Sequence, residues 1–311
     1  MRVFVAGATG AIGRPLVPAL IAAGHEVTGT TRSEERAEGV RAAGARAAVC
    51  DALDADALHT AVAEAAPEVV VHELTALPDR FNPRDKQMYA PTNRLRRDGT
   101  RNLIAAARAA GARRVVCQSI AFAYAPGERP EVKDEDAPLA LEAPLPFGDS
   151  VRTIDEMERA VVGADGLEGL VLRYGWFYGP GTYLADDGSV ARDVRRRRLP
   201  VIGKGIGLYS FVHVADAASA TIAAVERGAP GVYNVVDDEP APQREWLPRY
   251  ADAIGAKKPL RVPVWIARLA MGKIATMADV QAGASNAKAK RELGWEPRWR
   301  SCREGFREAP R

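Results

Sequence analysis

Cysteine is scarce. Cys50, Cys117 and Cys302 are the only three in 311 residues. They stand far apart and are odd in number, so they outline neither a disulfide framework nor a CxxC metal pair, and a reducing, cytoplasmic compartment is expected. No apolar run reaches the roughly 18 residues that a membrane helix needs. The first residues, Met1-Arg-Val-Phe-Val-Ala-Gly7, read as a strand rather than as a signal peptide. Neither sign of charge is in excess: 43 basic residues stand against 40 acidic ones, a net of +3. That balance excludes nucleic acid and membranes as expected partners. His72-Glu73 lacks a second histidine at zinc-helix spacing, so no metal site is expected and His72 reads as a packed histidine. Internal repeats are absent.

What is present is a core-forming chain, 47% hydrophobic and 27% charged, enough for one large domain or two intimate ones. Short β-rich runs alternate with alanine-rich helical stretches. Strands are expected at Arg2–Ala6, Glu26–Thr30, Arg46–Cys50, Val69–His72, Arg114–Ser119 and Leu167–Arg173. Helices are expected at Ile12–Ala23, Ser33–Ala43, Asp54–Ala66, Asn93–Ala110 and Val151–Ala164. Near-continuous apolar strands joined by helices imply an α/β fold, a doubly wound parallel sheet of the Rossmann kind. The expected division is a dinucleotide-binding domain over 1–174, with part of 205–235 returning to it, and a smaller substrate lobe over 175–311. In that lobe helices are expected at Val214–Arg227, Gln243–Ile254 and Val264–Lys273. The basic run Arg195–Arg198 reads as the solvated end of a helix.

Gly7-Ala8-Thr9-Gly10-Ala11-Ile12-Gly13 joins the first strand to the first helix. Gly7 permits the tight turn, Gly10 lets backbone approach a pyrophosphate, and Gly13 lets helix and strand pack closely. The second strand ends in Thr30-Thr31-Arg32 with no acid to hold a free ribose hydroxyl. Arg32 can instead grip a 2′-phosphate, so NADP (NADPH) is expected rather than NAD. Asp51 and Ala52, after the third strand, are candidates for the adenine; Asp51 could equally cap a helix. Leu74 and Thr75 end the fourth strand, at the crevice expected to hold the nicotinamide half.

These segments resemble the extended short-chain dehydrogenase/reductase family, also called the NAD-dependent epimerase/dehydratase family. The resemblance spans nearly the whole chain. It rests on the glycine loop, Asp51-Ala-Leu, Asp98-Gly-Thr-Arg-Asn102 and Val115–Ser119. It continues through Leu172-Arg-Tyr-Gly-Trp-Phe-Tyr-Gly-Pro-Gly181, Phe211-Val-His-Val-Ala-Asp216, Gly231-Val-Tyr-Asn234 and Glu292-Leu-Gly-Trp-Glu-Pro297. It implies that Ser119, Tyr174, Gly175 and Trp176 lie at the cofactor. Family members pass a proton through a tyrosine whose pKa a lysine lowers, in a YxxxK pair. No tyrosine in this chain is followed by lysine four residues on; Phe147 and Val151 stand at those places, and Ile120 where the reacting hydroxyl aligns. An arginine that would hold a nucleotide-sugar diphosphate is replaced by Tyr209-Ser210.

The expected pocket is therefore apolar and aromatic: Ile120, Phe147, Val151, Trp176, Phe177, Tyr178, Tyr183 and Phe211, with Trp265 nearby. The candidate proton donors are Ser119, Tyr124, Tyr178, Tyr183 and His213, or water. The leading reading is an NADP(H)-dependent reductase of a small, largely apolar carbonyl, imine or activated alkene, working without the usual pair. The alternatives are a non-catalytic NADP-binding sensor and a nucleotide-sugar epimerase or dehydratase with relocated groups. A homodimer through the helices at Asn93–Ala110 and Val151–Ala164 fits the resemblance.

Overall fold

A computed structural model describes residues 1–82 and 85–308. A parallel sheet of seven strands forms its centre. In chain order these are β1 (Arg2–Ala6), β2 (Glu26–Thr31), β3 (Arg46–Val49), β4 (Val69–His72), β5 (Arg114–Ile120), β6 (Glu168–Tyr174) and β7 (Gly231–Val235). Their order across the sheet is β7-β6-β5-β4-β1-β2-β3, and every pairing is parallel. The order of the strands reverses between β1 and β4, which opens a crevice at the carboxyl ends of those strands.

The helices between strands are α1 (Gly13–Ala22), α2 (Glu34–Ala42), α3 (Ala55–Ala65), α4 (Ala90–Arg94), α5 (Thr100–Ala109) and α6 (Phe147–Val162). Beyond β6 come α7 (Ser189–Arg195), α8 (Val214–Glu226), α9 (Gln243–Ala253), α10 (Val264–Met271) and α11 (Cys302–Glu308). Strand alternation sorts the side chains into two cores. Val3, Val5, Val69, Val71, Leu170 and Leu172 pack toward α1 and α8. Phe4, Val70, Val115, Cys117 and Val171 pack toward α3, α5 and α6. Apolar burial on both faces is what near-continuous hydrophobic strands require.

Two boundaries differ from expectation in ways that shape the site. The helix expected over Asn93–Ala110 starts at Ala90 and contains a π-helical turn, Leu95–Gly99, between α4 and α5. The helix expected from Val151 starts at Phe147. Phe-Gly-Asp-Ser looks like a turn by propensity, but tertiary contacts override it: Ser150 accepts a hydrogen bond from Arg96 Nη1 at 2.6 Å. The ribbon Trp176–Tyr178 pairs in parallel with Phe211–His213 outside the main sheet and packs with α9 and α11. The basic run does end a helix, and Arg195 to Arg198 are all exposed.

Candidate active site

The glycine loop is shaped by what its Cβ atoms would strike. Gly7 takes φ 98°, and a Cβ there would lie 2.8 Å from the Glu73 carbonyl. A Cβ on Gly13 would sit 2.2 Å from Gly7 O and 2.6 Å from the Ala8 carbonyl carbon. Gly10 is different: only Gly7 O, at 3.3 Å, is near, so its outer side is open. Gly29, inside β2, escaped the sequence reading; its Cβ would meet Ala8 Cβ at 2.6 Å. A glycine in mid-strand was the available signal. Helix α1 opens without a side-chain cap, its N-cap position being Ile12, and carries no acid in its first turn. Its free amides and dipole suit a pyrophosphate over Thr9, Gly10 and Ala11.

Gly7 N donates to Thr30 Oγ1 at 3.3 Å, which ties the loop to the end of β2. Arg32 follows, exposed and without a partner among the described residues, while Ser33 is occupied in capping α2. Asp51 does not cap α3; Asp54 does, by accepting from Ala57 N at 3.1 Å. Asp51 instead folds its own turn through Leu53 N. Ala52 is buried and its carbonyl accepts from Asn102 Nδ2 at 2.9 Å. These features fit a nicotinamide dinucleotide: a sealed turn, an open glycine and an uncapped helix.

At the end of β4, His72 Nδ1 accepts from Leu74 N while Nε2 faces Thr100 Oγ1 at 3.0 Å. Burial pulls its pKa down to about 4, so the ring is neutral. Leu74 is half-buried, its carbonyl held by Gln118 Nε2, and Thr75 is exposed. Glu73 was not singled out from sequence. It is buried, Oε1 accepts from Tyr174 at 3.0 Å, and Oε2 has no partner among the described residues. Burial pushes its pKa up to about 8.

The candidate donors lie inside the fold, and Ser119, Tyr124 and Tyr183 give their hydroxyl hydrogens to protein acceptors there. Ser119 lies on the β5 face opposite Ile120 and donates to Glu158 Oε1 at 2.5 Å. Tyr124 donates to Asn234 Oδ1 at 2.7 Å and accepts from Arg173. Tyr174 is fully buried and joined to Glu73 and Thr221. Tyr183 donates to the Pro78 carbonyl. Tyr178 and Phe211 of the expected pocket, and His213 of the expected donors, are a correction: they are buried in a core shared with α9 and α11. The Tyr178 hydroxyl abuts Gly305 of α11, whose Cβ would come within 2.1 Å. His213 caps α8 through Ala215 N at 3.2 Å and lies 3.9 Å from the Trp299 ring. Phe211 is edge-on to Trp246 and Phe306. Phe177 turns the other way, toward Tyr174 at 5.3 Å. Trp265 is 67% exposed on α10. Alternation along the paired strands sends Phe177 and Val212 to one face and Tyr178 and Phe211 to the other.

Two half-buried aromatic groups remain near the crevice. Phe147, at the start of α6, faces Tyr89 at 6.4 Å; Tyr89 faces Phe81 at 6.4 Å, and Phe81 meets Tyr183 at 4.9 Å. Trp176 stacks on Phe122 at 4.1 Å and leans on Tyr209 at 5.9 Å. Gly175, between the β6 end and Trp176, has no room for a side chain, since a Cβ would sit 2.5 Å from Ser210 O. Val151 is completely buried, one turn beyond Phe147. Tyr89 and Tyr209 carry hydroxyls with no protein partner among the described residues. Burial raises both phenols, Tyr209 to about 12, which makes them reluctant acids. Among the described residues no cluster of potential metal ligands exists, and no helix is long and apolar enough to cross a membrane.

Known proteins show the same plan. The profile of the NAD dependent epimerase/dehydratase family matches residues 3–235. The 3-diazoavenalumate denitrifying reductase of a Streptomyces sp is 50% identical over 309 residues, covering 98% of this chain and 99% of that protein. A 4-hydroxy-2-methyl-3-oxo-4-farnesyl-3,4-dihydroquinoline-1-oxide ketoreductase from Stigmatella aurantiaca is 30% identical over 278 residues, covering 87% of this chain and 78% of that protein. UDP-glucose 4-epimerase from Thermus thermophilus, solved in complex with NAD, is 26% identical and superposes with a TM-score of 0.71 over 99% of this chain and 100% of its own.

Proposed function

The chain belongs to the NAD dependent epimerase/dehydratase family and is an oxidoreductase of the extended short-chain dehydrogenase/reductase type, and from that premise we propose that it is an NADP(H)-dependent reductase whose aromatic substrate takes up hydride without a protein acid. A diazo compound fits first, an imine or carbonyl second. The observation that carries this reading is the state of the hydroxyls. Those of Ser119, Tyr124, Tyr174 and Tyr183 are committed to protein partners, that of Tyr178 is buried against α11, those of Tyr89 and Tyr209 are made weaker acids by burial, and Phe147 has none.

The nicotinamide, when bound, supplies hydride. Diazo chemistry then needs no side-chain proton. An arenediazonium plus hydride gives the arene plus dinitrogen, with atoms and charge balanced. A ketone would instead become an alkoxide and draw its proton from water. The 50% identical reductase is named for denitrifying a diazo acid, which supports the first class.

The chain's own part is binding and exclusion. The amides of Ala11 to Gly13 and the α1 dipole would hold the pyrophosphate, the Gly10 amide being engaged by the Gly7 carbonyl. Arg32 holds the 2′-phosphate bidentately. Phe147 and Ile120, both half-buried, present apolar surface to the reacting atoms, and the half-buried rings hold a flat substrate by edge and face contacts. Tyr209, at the place of the nucleotide-sugar arginine, lies between the rings of Trp176 and Trp246, which supports an aromatic substrate over a nucleotide diphosphate.

The test is to incubate the protein with NADPH and an aromatic diazo acid, and to follow NADPH oxidation, dinitrogen release and the mass of the arene. Parallel reactions contain ketones and cyclic imines. Faster turnover of the diazo acid is expected. Turnover of ketones alone would replace the first class by the second. NADPH left unoxidised by all of them would overturn the reading.

A further inference from the structure

Arg96 is a buried cation with no ion-pair partner among the described residues. It sits on the π-helical turn between α4 and α5 and is 8% exposed. Its hydrogen bonds among the described residues both leave from Nη1, to Ser150 Oγ at 2.6 Å and to Asn93 Oδ1 at 3.4 Å. Both acceptors are neutral. Nε and Nη2 have no partner among the described residues. Other buried arginines are treated differently. Arg173 closes both oxygens of Glu158, and Arg114 pairs with Glu168 while donating to the carbonyls of Ala224, Arg227 and Gly228. Glu158, which also acts on Arg96 electrostatically, is thus already spent on Arg173 and Ser119.

A buried charge left uncompensated costs several kcal/mol. Burial does pull the Arg96 pKa down, to about 10, which still leaves it protonated at neutral pH. π-Turns inside helices recur at functional sites, where they re-aim a side chain. Here the guanidinium is aimed at the first turn of α6. Ser150 is the residue before Val151, and Tyr89, which feels the Arg96 charge, has its ring beside Phe147.

We propose that Arg96 binds an anionic oxygen of the substrate, a carboxylate or phenolate, through its free Nε–Nη2 edge. The aromatic body of that substrate would lie among Phe81, Tyr89, Phe147 and Tyr183. The edge is the one with which Arg173 grips Glu158, so its geometry suits two oxygens at once. The inference rests on reading this crevice as the substrate site of a reductase.

Binding is measured by calorimetry in the presence of NADP⁺, without turnover. The probes are 4-hydroxycinnamate, its methyl ester and its 4-methoxy ether. Wild-type protein is expected to bind the acid about 10–100-fold more tightly than whichever derivative masks the recognised oxygen, the worth of a charged hydrogen-bonded contact. Loss on esterification assigns the carboxylate, and loss on methylation of the ring oxygen assigns the phenolate. Arg96→Gln should erase that difference while leaving the NADPH dissociation constant within about twofold, and Arg96→Lys should restore part of it. Equal binding of all three probes to wild-type protein overturns the proposal without any variant. So does an Arg96→Gln protein that loses NADPH as severely as it loses the acid, since Arg96 would then hold the cofactor. Tight acid binding with no hydride transfer to any substrate would leave this proposal standing and remove the reductase reading instead.

Discussion

Ser119 donates its hydroxyl to Glu158 Oε1 at 2.5 Å, and Arg173 Nε reaches the same oxygen at 2.9 Å. The serine after β5 is therefore part of a buried ion-pair network, with a structural task. Ser119→Ala should lower stability by about 1–3 kcal/mol, the cost of a lost hydrogen bond to a buried charge. Turnover of the folded protein should change less than about threefold. Denaturant unfolding beside steady-state kinetics checks both.

Removing the phenols near the crevice should likewise spare the chemistry. A general acid is worth roughly 10²–10⁴ in rate. Tyr89→Phe and Tyr183→Phe are each expected to keep kcat within about fivefold. A fall of a hundredfold in either would identify the proton donor and end the acid-free mechanism.

Arg32→Ala should weaken NADPH binding by about 10–100-fold and leave NADH almost unchanged, because only the 2′-phosphate is lost as a partner. Fluorescence titration with the two cofactors measures the ratio. A parallel loss of both would mean that Arg32 acts on the adenine or on the loop.

Gly13→Ala should abolish dinucleotide binding. The new methyl would fall 2.2 Å from Gly7 O and 2.6 Å from the Ala8 carbonyl carbon, and backbone cannot yield as a side chain can. Titration with NADPH, after circular dichroism has shown the sheet intact, reads the effect.

Glu73 should make stability fall as pH rises. Its carboxyl titrates at about 8 in the folded chain against an ordinary 4.5, because burial disfavours the charge. Between those values the folded chain keeps a proton that the unfolded chain has released. The contribution is complete below pH 4.5 and is lost progressively up to about 8, at no more than about 1.4 kcal/mol per pH unit. Glu73→Gln should flatten the curve and gain most over wild type near pH 8. A variant curve parallel to that of wild type would show that Glu73 is ionised throughout.

Much of the fold was legible because its signals are local. Valine-rich strands, helix periods and the Gly7–Gly13 spacing each lie within a few residues, and the family profile over residues 3–235 agrees with them. The helix starts were less legible. Phe147 begins α6 with its first turn held by a contact between Ser150 and Arg96, which are far apart in sequence. The aromatic candidates divided by depth as well as parity: Trp176 and Tyr178 share a face of their strand, yet Trp176 stays half-buried against Phe122 while Tyr178 is buried against α11.

The sequence by itself determined the parallel sheet, the phosphate loop, the arginine at the end of β2 and the lack of any tyrosine with lysine four residues on. These depend on residue type and short spacing. Only the tertiary structure decided which hydroxyls remain free, that Glu73 is buried beside Tyr174, and that Arg96 is a buried cation with half its fork unspent. Each of those is a pairing across tens of residues, and a side chain's chemistry is set by whichever partner the folded chain brings to it.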